Sequence, residues 1–381
     1  MEELTKQELV KVLNFVFPHR EGDKSIAIIV DIPNNSSQDN ESWKERRNIA
    51  EKWSQTLKQV FDQLKIENVN LYAYKNVESG NADLPENAYL VNKSLPHISA
   101  NLPNDDKIPF TKVFETNQLF LAPTEYSATA PLKIAAKRYG FRAATMPGFS
   151  EKMIPALKVD FESVNKRIQV LKEKLDIANT VSVQFTVDNE KTYNMVFDLF
   201  QRVAHASSGC FPEKGMAGNL PSGECYIVPY EGGLGVASRT KGHLPVQFGD
   251  EIVEYRVRQN NVSKVLSPGK VSKEQIKYLQ KEPAYGNIAE LGFGVLADFG
   301  IKPIGEILLD EKLGFHIAFG RSDHFGGITG PAMFSSPKAV VHVDRVYIEE
   351  IQPRIQISSV YFEYPNRKKE LIIKKGKYVI W

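Results

Sequence analysis

KSIAIIVDIPNNSSQDNESWKERRNIAEKWSQTLKQVFDQLKIENVNLYAYK, residues 24–75, reads as a strand, a helix and a second strand in succession. KSIAIIVDIP is a short apolar run of buried-strand type, and the polar NNSSQDNE after it marks a loop. In SWKERRNIAEKWSQTLKQVFDQL (42–64) apolar residues recur mostly at helical intervals, and NVNLYAYK (68–75) returns to strand texture. Farther on, QLFLAPT (118–124), the helix-like ATAPLKIAAKRYG and FRAATMPG (141–148) continue the alternation. Strands interleaved with helices predict a doubly wound parallel sheet. The N-terminal MEELTKQELVKVLNFVF spaces Thr5 and Glu8 as a capping box, so it reads as a helix and not as a signal peptide.

A charged helix, DFESVNKRIQVLKEKLDIA (160–178), leads into a different texture. VSVQFTVD, TYNMVFDLF, ECYIVPY, EIVEYRVRQ, GFHIAFG, AVVHVDRVYI, SVYFEYP and GKYVIW are short strand candidates between turn residues, with one helix at SKEQIKYLQK (272–281). The expected fold class is therefore α/β: an N-terminal doubly wound parallel-sheet domain over 1–180, then a β-rich α+β domain over 181–381. The full length of 381 residues suits two domains, because single cores stop growing at roughly 250–300 residues.

Lys and Arg total 48 against 46 Asp and Glu, a net charge of +2, which gives no electrostatic reason to expect nucleic acid or a membrane surface as partner. Two cysteines, Cys210 and Cys225, are too few for a disulfide framework, and no apolar run approaches a membrane span. A cytoplasmic location is the expectation. Cys225 directly follows Glu224 and would face the other side of its strand, as a small buried residue. The glycine-rich YEGGLGVASRTKG (230–242) lacks phosphate-loop spacing, and the basic NRKKELIIKKGK reads as a solvated hairpin.

Four stretches of the second half place a carboxylate or imidazole beside glycine at the end of an apolar run. They are NLPSGECYIVP with Glu224, NIAELGFG with Glu290, GFHIAFG with His316 and VVHVDRVYI with His342 and Asp344. His342 and Asp344 are two apart in a strand, so both leave one face. Glu290 in an apolar, glycine-rich run is costly as an ion unless an Arg or a metal pairs it. Three carboxylates and two imidazoles suit two divalent ions such as Zn, Mn or Co, bridged by a carboxylate and a water whose hydroxide form is the nucleophile.

This ordered set, GE before aromatic and apolar residues, then AELGFG, GEILLDEKLGFHIAFG and HVD, resembles the metallopeptidase M29 family, the two-domain dimetal exopeptidases of the aminopeptidase T and aminopeptidase S group. YGFRAATMPGFSEKMIPALKVDFESVNKRI extends the likeness upstream, over roughly residues 120–350. The resemblance implies that Glu224, Glu290, His316, His342 and Asp344 are metal ligands, that the substrate is a peptide or small amide, and that the protein is a homodimer. Where the family carries a tyrosine after its first histidine ligand, GRSDHFGG (320–327) has none; Asp323 stands about there, with His324 next. Asp323 and His324 are accordingly the candidate catalytic acid and base, and Arg239 and Arg321, with Lys241 nearby, are candidate partners for a substrate carboxylate.

The leading expectation is a metal-dependent hydrolase that releases an N-terminal residue from a peptide. The alternative is a mononuclear non-haem Fe(II) dioxygenase, since His316, His342 and Asp344 are of the 2-His-1-carboxylate type, and a ring-cleaving dihydroxypyridine dioxygenase is similar to the M29 family in fold. A third reading keeps the fold for binding without chemistry, or for another biosynthetic reaction at the same metals.

Overall fold

The computed structural model describes residues 3–336 and 339–381, and the chain forms two compact units, one of Met1–Phe161 with Ser207–Ser222, the other of Glu162–Ala206 with Gly223–Trp381. The boundary thus falls ahead of the charged helix and not near residue 180. Helix Phe161–Asp176 pairs its Arg167 with Asp298 and its Lys174 with Glu370, both in the second unit. Residues 207–222 belong to the first unit because their strand Ala217–Asn219 lies parallel to Arg142–Thr145 at the edge of its sheet.

In the first unit Ser25–Ile32 is buried along its whole length and pairs in parallel with Asn68–Lys75 on one side and Leu119–Ala122 on the other. Leu119–Ala122 pairs in parallel with Arg142–Thr145, so five strands run parallel, and the short Asn87–Leu90 and Lys107–Pro109 add antiparallel strands at the far edge. Helix Lys6–Val16 has the Thr5–Glu8 capping box, and Asn40 caps helix Glu41–Val60 through Trp43 N–H. The capping side chains occupy amides that the helix itself leaves without acceptors.

The second unit is built on antiparallel sheets. The larger runs in the order Asn261–Val265, Glu251–Arg258, Lys241–Phe248, Lys191–Asp198, Thr180–Val187, Ile355–Glu363, Lys369–Lys374, Lys377–Tyr378. In the smaller, His342–Val346, Phe315–Gly320, Ile288–Gly294 and Glu224–Ile227 lie side by side in that order. The basic tail forms the hairpin expected of it, whereas Lys241–Phe248 is a full strand despite Gly242 and Pro245. Among the described residues no helix is long and apolar enough to cross a membrane.

Arg142 shows how the first unit is tied together. Its buried guanidinium donates to Asp23 Oδ2 at 2.5 Å and to the carbonyls of Pro18 and Phe211, each at 2.9 Å. Removing one partner of a buried pair leaves the other charge uncompensated. Arg142→Met is expected to lower unfolding free energy by about 3–5 kcal/mol, and breaking the exposed Arg354–Asp188 pair by no more than about 1 kcal/mol; urea titration of both variants compares them.

Candidate metal centre

The smaller sheet brings the five predicted ligands onto one face. In an antiparallel sheet, directly opposed residues and residues two apart on a strand share a face. Glu224 opposes Gly294; Tyr226 opposes Gly292, which in turn opposes His316; Glu290 opposes Ala318, which opposes Asp344; and Gly320 opposes His342. A bulge between Ile288 and Glu290 is required for this, since an unbroken register from the pair Ile288–Phe319 would turn Glu290 to the other face. Cys225 alternates to the opposite side, fully buried, and its burial pushes the thiol pKa up.

His316 Nε2 lies 3.4 Å from Glu224 Oε2 and 3.4 Å from Glu290 Oε1. His342 Nε2 lies 3.4 Å from Glu290 Oε2 and 3.6 Å from Asp344 Oδ1. Glu290 therefore turns one oxygen to each imidazole. Both imidazoles are fixed from behind: His316 Nδ1–H donates to the Gly314 carbonyl at 3.2 Å and His342 Nδ1–H to the Arg321 carbonyl at 2.8 Å. With Nδ1 committed, each Nε2 is left to face the carboxylates, the arrangement seen behind metal-bound histidines. Gly292 is part of this construction, because a Cβ there would overlap the His316 ring.

The donor set tests well against a divalent metal. Glu224, Glu290 and His316 offer ligand atoms within 4.8 Å of one another, all in buried residues. Glu224 Oε2 is buried with no hydrogen-bond partner, although an orphaned carboxylate oxygen in the interior is expensive. A cation beside it removes that cost.

Two further charged groups, which the sequence reading passed over, belong to the cluster. Lys312 is buried, and its ammonium donates to Glu224 Oε1 and to Glu311. Burial works to lower the Lys312 pKa, but Glu224 and Glu311 outweigh it and hold the group protonated. Burial raises the Glu311 pKa to about 8 despite Lys312, and raises that of Glu224 despite Lys312 and His316. At Glu290 burial is overcome by hydrogen bonding to His316 and His342, and its pKa falls below the ordinary range. Burial disfavours the His316 cation, yet Glu290 and Glu224 lift its pKa to about 9; His342 rises likewise through Asp344 and Glu290. In the metal-free protein, protons on the imidazoles do a cation's work.

The loop after His316 is held by Glu231, which sequence reading also missed. Its carboxylate accepts from Ser322 Oγ at 2.7 Å, Thr329 Oγ1 at 2.9 Å, Asn287 Nδ2 at 2.7 Å and the Ile328 amide. Gly320 and Gly326, at φ 101° and 93°, make the turns that the loop needs. His324 stands beside the cluster, its ring 5.5 Å from that of His342 and 3.8 Å from that of Phe325. Asp323 accepts from Arg321 Nε at 2.6 Å. Burial works to raise its pKa, but the Arg321 bonds outweigh this and keep it ionised.

The two arginines expected to meet a substrate carboxylate are engaged elsewhere. Arg321 turns its guanidinium to Asp323 and serves the site through its backbone carbonyl. Arg239 forks onto Asp198, with Nη2 to Oδ1 at 2.9 Å and Nε to Oδ2 at 3.1 Å. With Lys241, Arg256 and Arg258 it lines an open groove of about 930 Å³ on the larger sheet, whose lining includes none of the five ligand candidates.

No family model and no curated protein matches the chain. Solved structures match along its length, two of them as follows. 2,5-Dihydroxypyridine dioxygenase from Pseudomonas putida KT2440 is 12% identical, with a TM-score of 0.60, over 100% of this chain and 99% of that one. Wild-type AmpT from Thermus thermophilus is 14% identical, with a TM-score of 0.55, over 99% of this chain and 100% of that one. The chain is thus of the mixed α/β fold that these two proteins share.

Proposed function

We propose that this protein is a metal-dependent hydrolase of the aminopeptidase type, which cleaves an amide or peptide bond at a pair of divalent ions and releases an N-terminal residue. The observation that carries this reading is Glu290, which faces His316 with one oxygen and His342 with the other. Glu224 and His316 would hold one ion and His342 and Asp344 the other, with Glu290 offering an oxygen toward each imidazole. The end-to-end likeness to AmpT and the resemblance of the ligand motifs to the M29 family support the same choice.

Bound divalent ions supply Lewis acidity at the scissile carbonyl and lower the pKa of a water they hold. The chain's own groups do the rest. Lys312 occupies Glu224 Oε1 and leaves only Oε2 to ligate. The Gly314 and Arg321 carbonyls keep each imidazole in the tautomer that presents Nε2. Asp323 accepts a proton from the attacking water, and His324, its ring tilted against Phe325 and near His342, returns one to the leaving amine.

A mononuclear iron dioxygenase is the second reading. The full-length likeness to the dihydroxypyridine dioxygenase and the lack of tyrosine in residues 320–327 favour it. It leaves the orphaned Glu224 Oε2 without a function, and so ranks below the hydrolase.

Stripped protein reloaded with Zn, Mn or Co is expected to take up about two ions per chain and to turn over aminoacyl-anilides or dipeptides. Metal analysis with a substrate panel checks both. Two bound ions with no amide turnover remove the peptidase reading and spare the centre; one iron with oxygen uptake transfers the assignment to the dioxygenase.

Gly292→Ala should displace the His316 ring and abolish uptake of at least one ion while circular dichroism stays unchanged; full metal content in that variant contradicts the ligand role of His316.

pH provides an independent check. The His316 pKa rises from 6.5 to about 9 on folding without metal, so the stabilisation this gives is fully present below pH 6.5 and is lost as pH climbs through about 9. Bound dications replace those protons. The melting-temperature gap between loaded and stripped protein should widen from pH 6.5 to 9; a constant gap across that range counts against metal at His316.

A further inference from the structure

Among the described residues of the four strands, Tyr226 is the one phenol on the face that bears the ligand candidates, and it follows Glu224 by two positions on the same strand. Across the sheet its row reads Tyr226, Gly292, His316. Because Gly292 has no side chain, the His316 ring lies over it, and nothing of the middle strand's side chains stands between the tyrosine and the imidazole. The Tyr226 ring is held on its remaining sides: stacked on His205 at 5.0 Å and edge-on to Phe325 at 4.9 Å, with Phe325 in turn 5.4 Å from His342. Among the described residues its hydroxyl has no hydrogen-bond partner, and the residue is only partly buried.

The geometry points to Tyr226 as a catalytic residue: its phenol donates a hydrogen bond to the substrate oxygen that becomes negative as the amide carbon turns tetrahedral at the metal cluster. This rests on the hydrolase reading for its substrate, but the donor function concerns any oxyanion bound at the cluster. A donor aimed at developing charge in a site shielded from water is among the strongest aids to acyl transfer. No proton leaves the phenol; it remains the donor throughout.

The test compares Tyr226→Phe with the parent protein, both loaded with Zn. On an aminoacyl-p-nitroanilide, kcat is expected to fall roughly 10²–10³-fold with KM and metal content unchanged; an unchanged kcat overturns the proposal. Calorimetric titration with L-leucinephosphonic acid, a tetrahedral oxyanion, reads the same hydrogen bond without turnover. The variant should bind it about tenfold more weakly, as loss of a charge-assisted hydrogen bond implies. Equal affinities overturn the proposal, as does a parent protein that fails to bind the phosphonate. Lack of anilide turnover with the tenfold difference intact overturns the amide reading and leaves Tyr226 as the oxyanion donor.

Discussion

Buried negative charge governs the second unit. Glu224, Glu290, Glu311 and Asp344 gather around two imidazoles, and Lys312 is the one permanent cation placed among them. Four carboxylates stand against one ammonium, burial holds Glu311 and Glu224 toward their neutral forms, and each buried ion costs several kcal/mol unless it is paired. Protons on His316 and His342 offset part of that charge, and dications offset it more strongly and with directed bonds. A cation bound at this face would therefore link its own binding to folding, because it would hold four strands in register.

Backbone devices convert that charge into a shaped site. The bulge before Glu290 turns the rest of its strand by one face, Gly292 makes room for an imidazole, and two backbone carbonyls fix the ring nitrogens. Each is local and inexpensive, and together they place six donor atoms without a specialised loop. The Asp323–His324 loop is treated differently. It is pinned by a single buried carboxylate, Glu231, which accepts two hydroxyls, a side-chain amide and a backbone amide, while Arg202 donates to the Gly326 carbonyl. A carboxylate that saturated is a rigid anchor for Asp323 and His324.

Elements whose signal is local were legible in the sequence. The all-apolar Ser25–Ile32, the amphipathic Glu41–Val60 and the capping box at Thr5 follow from patterning alone, and so does the switch from parallel to antiparallel strands. Ala217–Asn219 was not legible: Ala-Gly-Asn has no strand preference, and only its parallel partner Arg142–Thr145 makes it a strand. Lys241–Phe248 was hidden by Gly242 and Pro245, which read as loop residues. At the site, Glu290 could be singled out because a carboxylate in an apolar run demands a partner. Glu311 and Lys312 could not, because adjacent opposite charges before a glycine look like a solvated turn, and burial depends on what the sheet lays over them. Arg239 misled for the converse reason: a cation in a glycine-rich stretch suggests a ligand, whereas Asp198, 41 positions earlier, had already claimed it.

The likeness to two solved proteins at 12% and 14% identity has a physical basis in this economy. A sheet of this kind asks of most positions only that apolar and polar residues alternate correctly, so most of the chain can change with the architecture kept. The residues that cannot change freely are few: the glycine under His316, the bulge, and the charged groups themselves. His316, His342 and Asp344 alone would make a set for one metal ion; with Glu290 between the imidazoles and Glu224 beyond them, the donors would suffice for two. The chemistry of the face is thus decided by side chains from the Glu224 and Glu290 strands. Tyr226 lies on the first of these, in the row that Gly292 leaves open, so the strand that carries Glu224 also brings a phenol to the charged face.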